Sequence, residues 1–452
     1  MALAIPQLPS ELWARIASFS DRKSLKNLRL TCHRCSKSAT RGLFREVRLT
    51  VGDPSCVRLE QVRAHEELKQ YVNKINLGLR GWSPEFLKHY PMLLQEWQVK
   101  ADEDPILPGR FIRLVQNLKM FPNLRNLNVR FHPRCGLEQP YNSPPQSFEF
   151  RSRIMALVLS SLASFAQPAH ALGLQNYQNI NPDDTETVSI LKQAVGNLRS
   201  LRLGILNECC EGNGEIDLTY QQAHTFTREL PSVWLEPASS TLRQLTLYST
   251  LYFGFYPKLD LRDIRFPNLQ SLSLGNYSFV HDTQLDWILS HGPTLQRLYM
   301  DDCAILYEVG IYDKDNCYLS PAEMHPGPKR NLFGEVHGRA SYSKRWHDYF
   351  RAFQEGLPQL RHFRFGSSPD WWDNSGIPFE METEIRISLS MELYLVFCDG
   401  FGPSPYMDRW LGENDDDTVS YPECQAEDMD ALEALLSKTG QAVDRADVLE
   451  CD

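Results

Sequence analysis

The chain has 452 residues, 47 Lys and Arg against 57 Asp and Glu, and 42% hydrophobic residues, a composition that supports a packed core and excludes a disordered or fibrous chain. Its 25 Gly and 28 Pro are near ordinary usage, and 11 Cys are too few for a disulfide-stapled secreted scaffold. Length alone suggests roughly three domains, or one longer repeat array.

The opening residues, Met1 to Pro9, lack a basic segment followed by a long apolar run, so no secretory signal is expected and the location reads as intracellular, cytoplasmic or nuclear. Pro9 and Ser10 mark a helix start, and Leu12, Ile16 and Phe19 recur at helical spacing. Asp21 offers a cap for a second helix with Leu25, Leu28 and Cys32 at three- and four-residue steps. A third helix around Cys35 to Leu43 leads into Phe44 to Leu49, which alternates like a strand. Residues 1 to 50 carry ten basic and three acidic residues, whereas residues 399 to 452 carry three and fifteen. A basic head suits either nucleic acid or an acidic protein partner. The net charge of −10 and the lack of base-stacking aromatics beside the basic residues argue against nucleic acid. The acidic stretch Glu413 to Asp417 reads as a solvated loop. The longest uncharged stretch, residues 154 to 182, has an apolar heart of only 13 residues, a core helix and no membrane span.

The succession Leu8-Pro9-x-Glu11-Leu12-x-x-x-Ile16, then Asp21-x-x-x-Leu25-x-x-Leu28, then Cys32 with a basic patch, then Leu43-Phe44-Arg45-x-Val47 resembles the F-box over about the first 45 residues, with filamentous-fungal F-box proteins as the nearest likeness. Ser20, Thr31 and Cys35 stand where Leu, Val and Trp are usual. The resemblance implies a trihelical domain over residues 1 to 50 that docks on the Skp adaptor of a cullin-based ubiquitin ligase. The residues matching its binding motif are Leu8, Pro9, Leu12, Ile16, Leu25, Leu28 and Cys32. The same apolar residues equally serve to close a three-helix core.

Beyond residue 50 one phrase returns: Leu124-x-x-Leu127-x-Val129, then copies opening at Leu198, Leu242, Leu269, Leu295 and Leu360, with weaker ones at Phe44 and Val72. The steps are 28, 52, 74, 44, 27, 26 and 65 residues; 26 and 27 match the period of a leucine-rich repeat, and 52 is two of them. Its physics is a short strand with two inward apolar residues, stacked in parallel on the next copy, with a helix returning outside. Helices are expected at Phe111 to Phe121, Ile154 to Ala166, Val188 to Val195, Asp282 to Ser290 and Lys344 to Glu355. Insertions at 132–148, 207–218, 301–342 and 366–383 read as loops, and Ile385 to Phe397 alternates as one long closing strand. Asp428 to Ser437 would cap the end as a helix. The expected fold is therefore α/β: an N-terminal trihelical domain followed, over 51–452, by an irregular leucine-rich-repeat solenoid.

No nucleophile elbow, phosphate-cradling glycine loop or dinucleotide fingerprint occurs. Cys32-His-Arg-Cys35 has no second pair at zinc-site distance, Cys209-Cys210 is unsupported, and the 12 His show no ligand spacing. Neither catalysis nor a metal or cofactor is expected. Trp371-Trp372 in an inserted loop suits interface anchoring or edge packing. On each strand the residues flanking the inward pair face the opposite side. Tyr248, Arg297, Tyr299, Asp301 and Arg364 are thereby candidate contacts to a protein target, with Ser271, Ser273 and Gly275 leaving a shallow seat between the two tyrosines. The expected function is a non-catalytic substrate receptor whose partners are a Skp-type adaptor, through it cullin, and a protein target. The alternative is a leucine-rich-repeat scaffold outside ubiquitination.

Overall fold

The structure is a computed structural model that describes residues 8–79, 107–133, 135, 146–165, 167–207, 221–311, 315–325, 338–368, 382–389, 391–397, 402–403 and 420–449. Cys209-Cys210, Trp371-Trp372 and Glu413 to Asp417 lie outside the described residues. The chain is α/β and divides into two compact units, the first Met1–Lys100, Pro105–Arg130 and Arg153–Leu172, the second the remainder.

The first unit opens with three helices, α1 (Ser10–Phe19), α2 (Arg22–Thr31) and α3 (His33–Arg45). Pro9 precedes α1, where its fixed φ suits a helix start. The Asp21 carboxylate accepts the Ser24 N–H at 2.6 Å and caps α2. Ala17, Leu25 and Ala39, one from each helix, form a small core with Leu28 and Leu43 against it. Gly42 lets α3 come close, since a Cβ there would stand 3.1 Å from a Leu25 methyl. Helices α4 (Asp53–Ala64) and α5 (Glu66–Tyr71), strands β1 (Glu46–Thr50), β2 (Lys74–Gly78) and β3 (Asn126–Arg130), and α6 (Gly109–Gln116) also belong to it. β1, β2 and β3 run parallel, with Val47, Ile75 and Leu127 in one row and Leu49, Leu77 and Val129 in the next. On the other face Asn128 donates to Asn76 at 2.9 Å and Asn126 to Asn73, a cross-strand amide ladder.

Helix α7 (Phe148–Ala163) leads to β4 (Ala171–Gln178), α8 (Thr185–Val195), β5 (Ser200–Leu206) and α9 (Gln221–Leu230). Then come β6 (Gln244–Phe253), β7 (Ser271–Phe279), α10 (Asp282–Leu289), β8 (Arg297–Asp301), β9 (Ala304–Ile311), β10 (Gly338–Ser341) and α11 (Trp346–Gly356). The chain closes through β11 (His362–Ser367), β12 (Arg386–Ile387), β13 (Tyr394–Phe397), α12 (Gln425–Lys438) and α13 (Arg445–Leu449). In the second unit β5, β6, β7, β8 and β11 are parallel neighbours in one register. Leu201, Leu245, Leu272, Leu298 and Phe363 share one row, and Leu203, Leu247, Leu274, Met300 and Phe365 the next; all ten are buried. A shift of one residue would turn every one of them out of the core, so the repeated phrase fixes the register. Leu198, Leu242, Leu269, Leu295 and Leu360, the first residues of each copy, are buried too.

Two expectations are corrected. Residues 301–342 are no plain loop: β9 and β10 lie in them and, with β13 and the end of β7, make a second small sheet. Its core gathers Phe255, Leu306, Val309, Leu395 and Phe397. Nor is Ile385 to Phe397 one strand. It supplies β12, antiparallel to β11, and β13, parallel to β9. Tyr394 to Phe397 are all buried, the pattern of a strand covered on both faces, so alternation over 13 residues misstated its length.

The edge of β11 is closed twice. β12 pairs with Gly366 and Ser367. Earlier in the strand the Gln441 side chain replaces a peptide unit: its Oε1 accepts the Phe363 N–H at 2.8 Å and its Nε2 donates to the Phe363 carbonyl at 3.0 Å. The helix expected over Asp428 to Ser437 is present as α12, and it packs on α11.

Candidate functional site

Helix α1 presents Leu12, 44% exposed, Ile16, 41%, and Phe19, 81%, one apolar stripe by their spacing of four and three. Pro9 is exposed and Leu8 half-buried at its start. On α2, Leu30 is 85% exposed. Leu25 is a correction to the adaptor-binding set, because it lies inside the three-helix core and has no surface to offer. Leu28 is half-buried against the same core. Cys32 is half-buried at the corner between α2 and α3.

On the sheet face of the second unit the register places Arg202, Thr246, Ser273, Tyr299 and Arg364 in one row. Most of this face is covered. Glu382 lies on it and accepts from the Arg202 guanidinium at 3.0 Å and from the Thr246 hydroxyl at 3.1 Å. The Arg202 and Glu382 side chains are 12% and 7% exposed. Tyr248, Tyr299 and Asp301 are interior, and this overturns them as surface contacts. The seat expected at Gly275 is filled by Tyr248 itself, since a Cβ on Gly275 would stand 2.3 Å from the Tyr248 ring. Burial pushes the Tyr248 hydroxyl well up, and the Asp301 carboxylate adds to it. Asp301, the next residue in that row, is itself driven far above the carboxylate range by burial and then by Asp302.

What stays open is the β8–β11 end. Arg297 is exposed and Arg364 half-buried, and the Arg364 Nε has no hydrogen-bond partner among the described residues. Both act electrostatically on His362, which burial first and these two cations next pull below the ordinary imidazole range. His362 stands 5.5 Å from the Tyr299 ring, centre to centre.

One cluster of chemical groups was not legible in the sequence. Asp428, 1% exposed, accepts the His347 N–H and the His347 Nδ1 at 2.8 Å each through Oδ1. Its Oδ2 takes the Tyr394 hydroxyl at 2.6 Å and the Cys424 thiol at 3.4 Å. Tyr394 in turn accepts the Trp346 N–H at 2.8 Å. Together they satisfy the open N–H groups that begin α11. The donor atoms of His347, Cys424 and Asp428 lie within 4.8 Å of one another, a set suited to zinc; here they satisfy each other and hold α12 to α11. Burial and then the Asp428 charge raise the Cys424 thiol, which ends at about 11, so it is protonated at neutral pH and no nucleophile.

Asn276, the lone glycosylation sequon, is buried and donates to the Ser249 carbonyl at 2.9 Å. Among the described residues no helix is long and apolar enough to cross a membrane. No protein-family model matches the chain, and no curated protein matches it.

Proposed function

We propose that this chain is the target-recognising subunit of a cullin-based ubiquitin ligase, with α1 to α3 as an F-box that docks on a Skp-type adaptor. The observation that carries the reading is the stripe of Leu12, Ile16 and Phe19, apolar and exposed on a small three-helix module. Such a module buries little of its own surface and leaves a face to be covered. The F-box resemblance supplies the adaptor as the occupant of that face.

The strands stacked in one register support a leucine-rich-repeat body, and the target is held at its β8–β11 end by Arg297 and Arg364. Arg is a frequent interface anchor, and of the five candidate contacts these two remain after Tyr248, Tyr299 and Asp301 are placed in the interior.

The test is co-purification with degradation blocked. Pro9→Ala with Leu12→Ala loses adaptor and cullin and keeps the target; Arg297→Glu with Arg364→Glu loses the target and keeps the ligase. If wild-type chain brings down no adaptor while other proteins are held, the chain is a scaffold outside ubiquitination.

A further inference from the structure

Cys32 closes α2 and opens α3, with backbone angles of −159° and 160°. Its sulfur accepts the Cys35 N–H at 3.3 Å, and its thiol lies 2.8 Å from the Cys35 sulfur. A disulfide bond is about 2.05 Å long, so closure needs a sulfur movement of less than about 1 Å. The two thiols differ. Cys32 is half-buried with a reachable sulfur; Cys35 is 1% exposed. The side-chain hydrogen bond with Cys35 and then the Cys35 N–H hold Cys32 below the ordinary thiol range, while burial pushes Cys35 up. A reachable, acidified thiol followed three residues later by a buried one at a helix start is the arrangement of a redox-active dithiol. Zinc, the other chemistry of this spacing, wants four ligands. Among the described residues no His, Cys, Asp or Glu joins Cys32 and Cys35 in a set of three.

We propose that Cys32 and Cys35 form a reversible dithiol–disulfide couple, oxidised by exchange with a glutathione-class disulfide, with Cys32 as the attacking and Cys35 as the resolving thiol. In the first step the Cys32 thiolate attacks one sulfur of oxidised glutathione. A mixed disulfide forms and one glutathione thiolate leaves, taking up a proton. In the second the Cys35 thiol gives up its proton and attacks the Cys32 sulfur, and the second glutathione departs as a thiol. The pair loses two electrons and two protons, and one glutathione disulfide becomes two glutathione thiols. The couple is tested on the free chain and needs no adaptor, although Cys32 is also one of the residues that match the adaptor-binding motif.

The full chain is equilibrated in glutathione buffers of rising oxidised fraction, quenched with acid, alkylated and mapped by peptide mass. The expected result is a Cys32–Cys35 disulfide that accumulates with oxidised glutathione and is reversed by dithiothreitol. Cys35→Ser stops at a glutathione adduct on Cys32, and Cys32→Ser leaves Cys35 unmodified because it is buried. Alkylation of the reduced wild-type chain, which needs no variant to fold, marks Cys32 at lower pH and faster than Cys35. Two free thiols under fully oxidised glutathione, an adduct that appears first on Cys35, or equal alkylation of the two overturns the proposal.

Discussion

The Glu382 carboxylate meets the Arg202 guanidinium at 3.0 Å across 180 residues of sequence and also takes the Thr246 hydroxyl. A buried pair adds little by itself, but removal of Glu382 takes from Arg202 a contact to both carboxylate oxygens in a site nearly closed to water. Glu382→Ala is therefore expected to destabilise the second unit by about 3 kcal/mol, and Arg202→Ala with Glu382→Ala by less than the sum of the two single changes. A denaturant double-mutant cycle measures this; additive effects would show the two side chains to be uncoupled.

Tyr248 lies over Gly275, where a Cβ would come within 2.3 Å of its ring. Gly275→Ala forces the ring or the strand to move, and overpacking of this kind costs about 1–3 kcal/mol. In a Tyr248→Ala background the same change is expected to be nearly neutral. A melting-temperature comparison of the four proteins decides it.

Asp428 accepts four donors around the start of α11. Asp428→Ala takes their acceptor from the His347 amide, the His347 ring and the Tyr394 hydroxyl in a buried site, while the Cys424 thiol keeps Tyr394, an expected loss of about 3 kcal/mol. Hydrogen exchange localises it, with faster exchange at the His347 amide and along α11. Unchanged exchange there contradicts the capping role.

The Asp302 carboxyl is raised to about 7, by burial first and then by the Glu392 charge. Its unfolded value is about 3.9, so between these two values the folded chain holds more protons than the unfolded one. The resulting stability is fully present below pH 4 and is lost as pH rises through 7. At this half-buried site, with solvent screening allowed for, the change is about 2 kcal/mol. Asp302→Asn removes that slope. Asparagine also tolerates the backbone here, φ +47°. Urea unfolding at pH 4.5 and 7.5 is expected to show the variant gaining on wild type at the higher pH; parallel profiles sink the assignment.

The register of the main sheet was readable from sequence because two inward apolar residues per strand have to stay in phase from copy to copy. β4 was hidden only by a small first residue: Ala169-x-x-Leu172-x-Leu174 is the same phrase, with all three buried. The exposed stripe of α1 was visible as helical spacing. The burial of Tyr248, Tyr299 and Asp301 was not, since alternation tells which side of a strand a residue takes and not whether another segment covers that side. Glu382 over Arg202, Asp428 at α11 and Gln441 on the edge of β11 are contacts between residues 78 to 180 apart in sequence, and no local period announces them.

The most direct measurement is calorimetric titration of purified Skp-type adaptor into the full chain and into Leu12→Asp with Ile16→Asp. Both side chains are more than two-fifths exposed, so the variant should melt with wild type. Loss of about 1 kcal/mol of burial at each site weakens binding by roughly 30-fold, and the buried charges push it further. Micromolar or tighter wild-type binding that the variant loses is the predicted result; equal affinities, or a wild-type chain that does not bind the adaptor, would contradict the account.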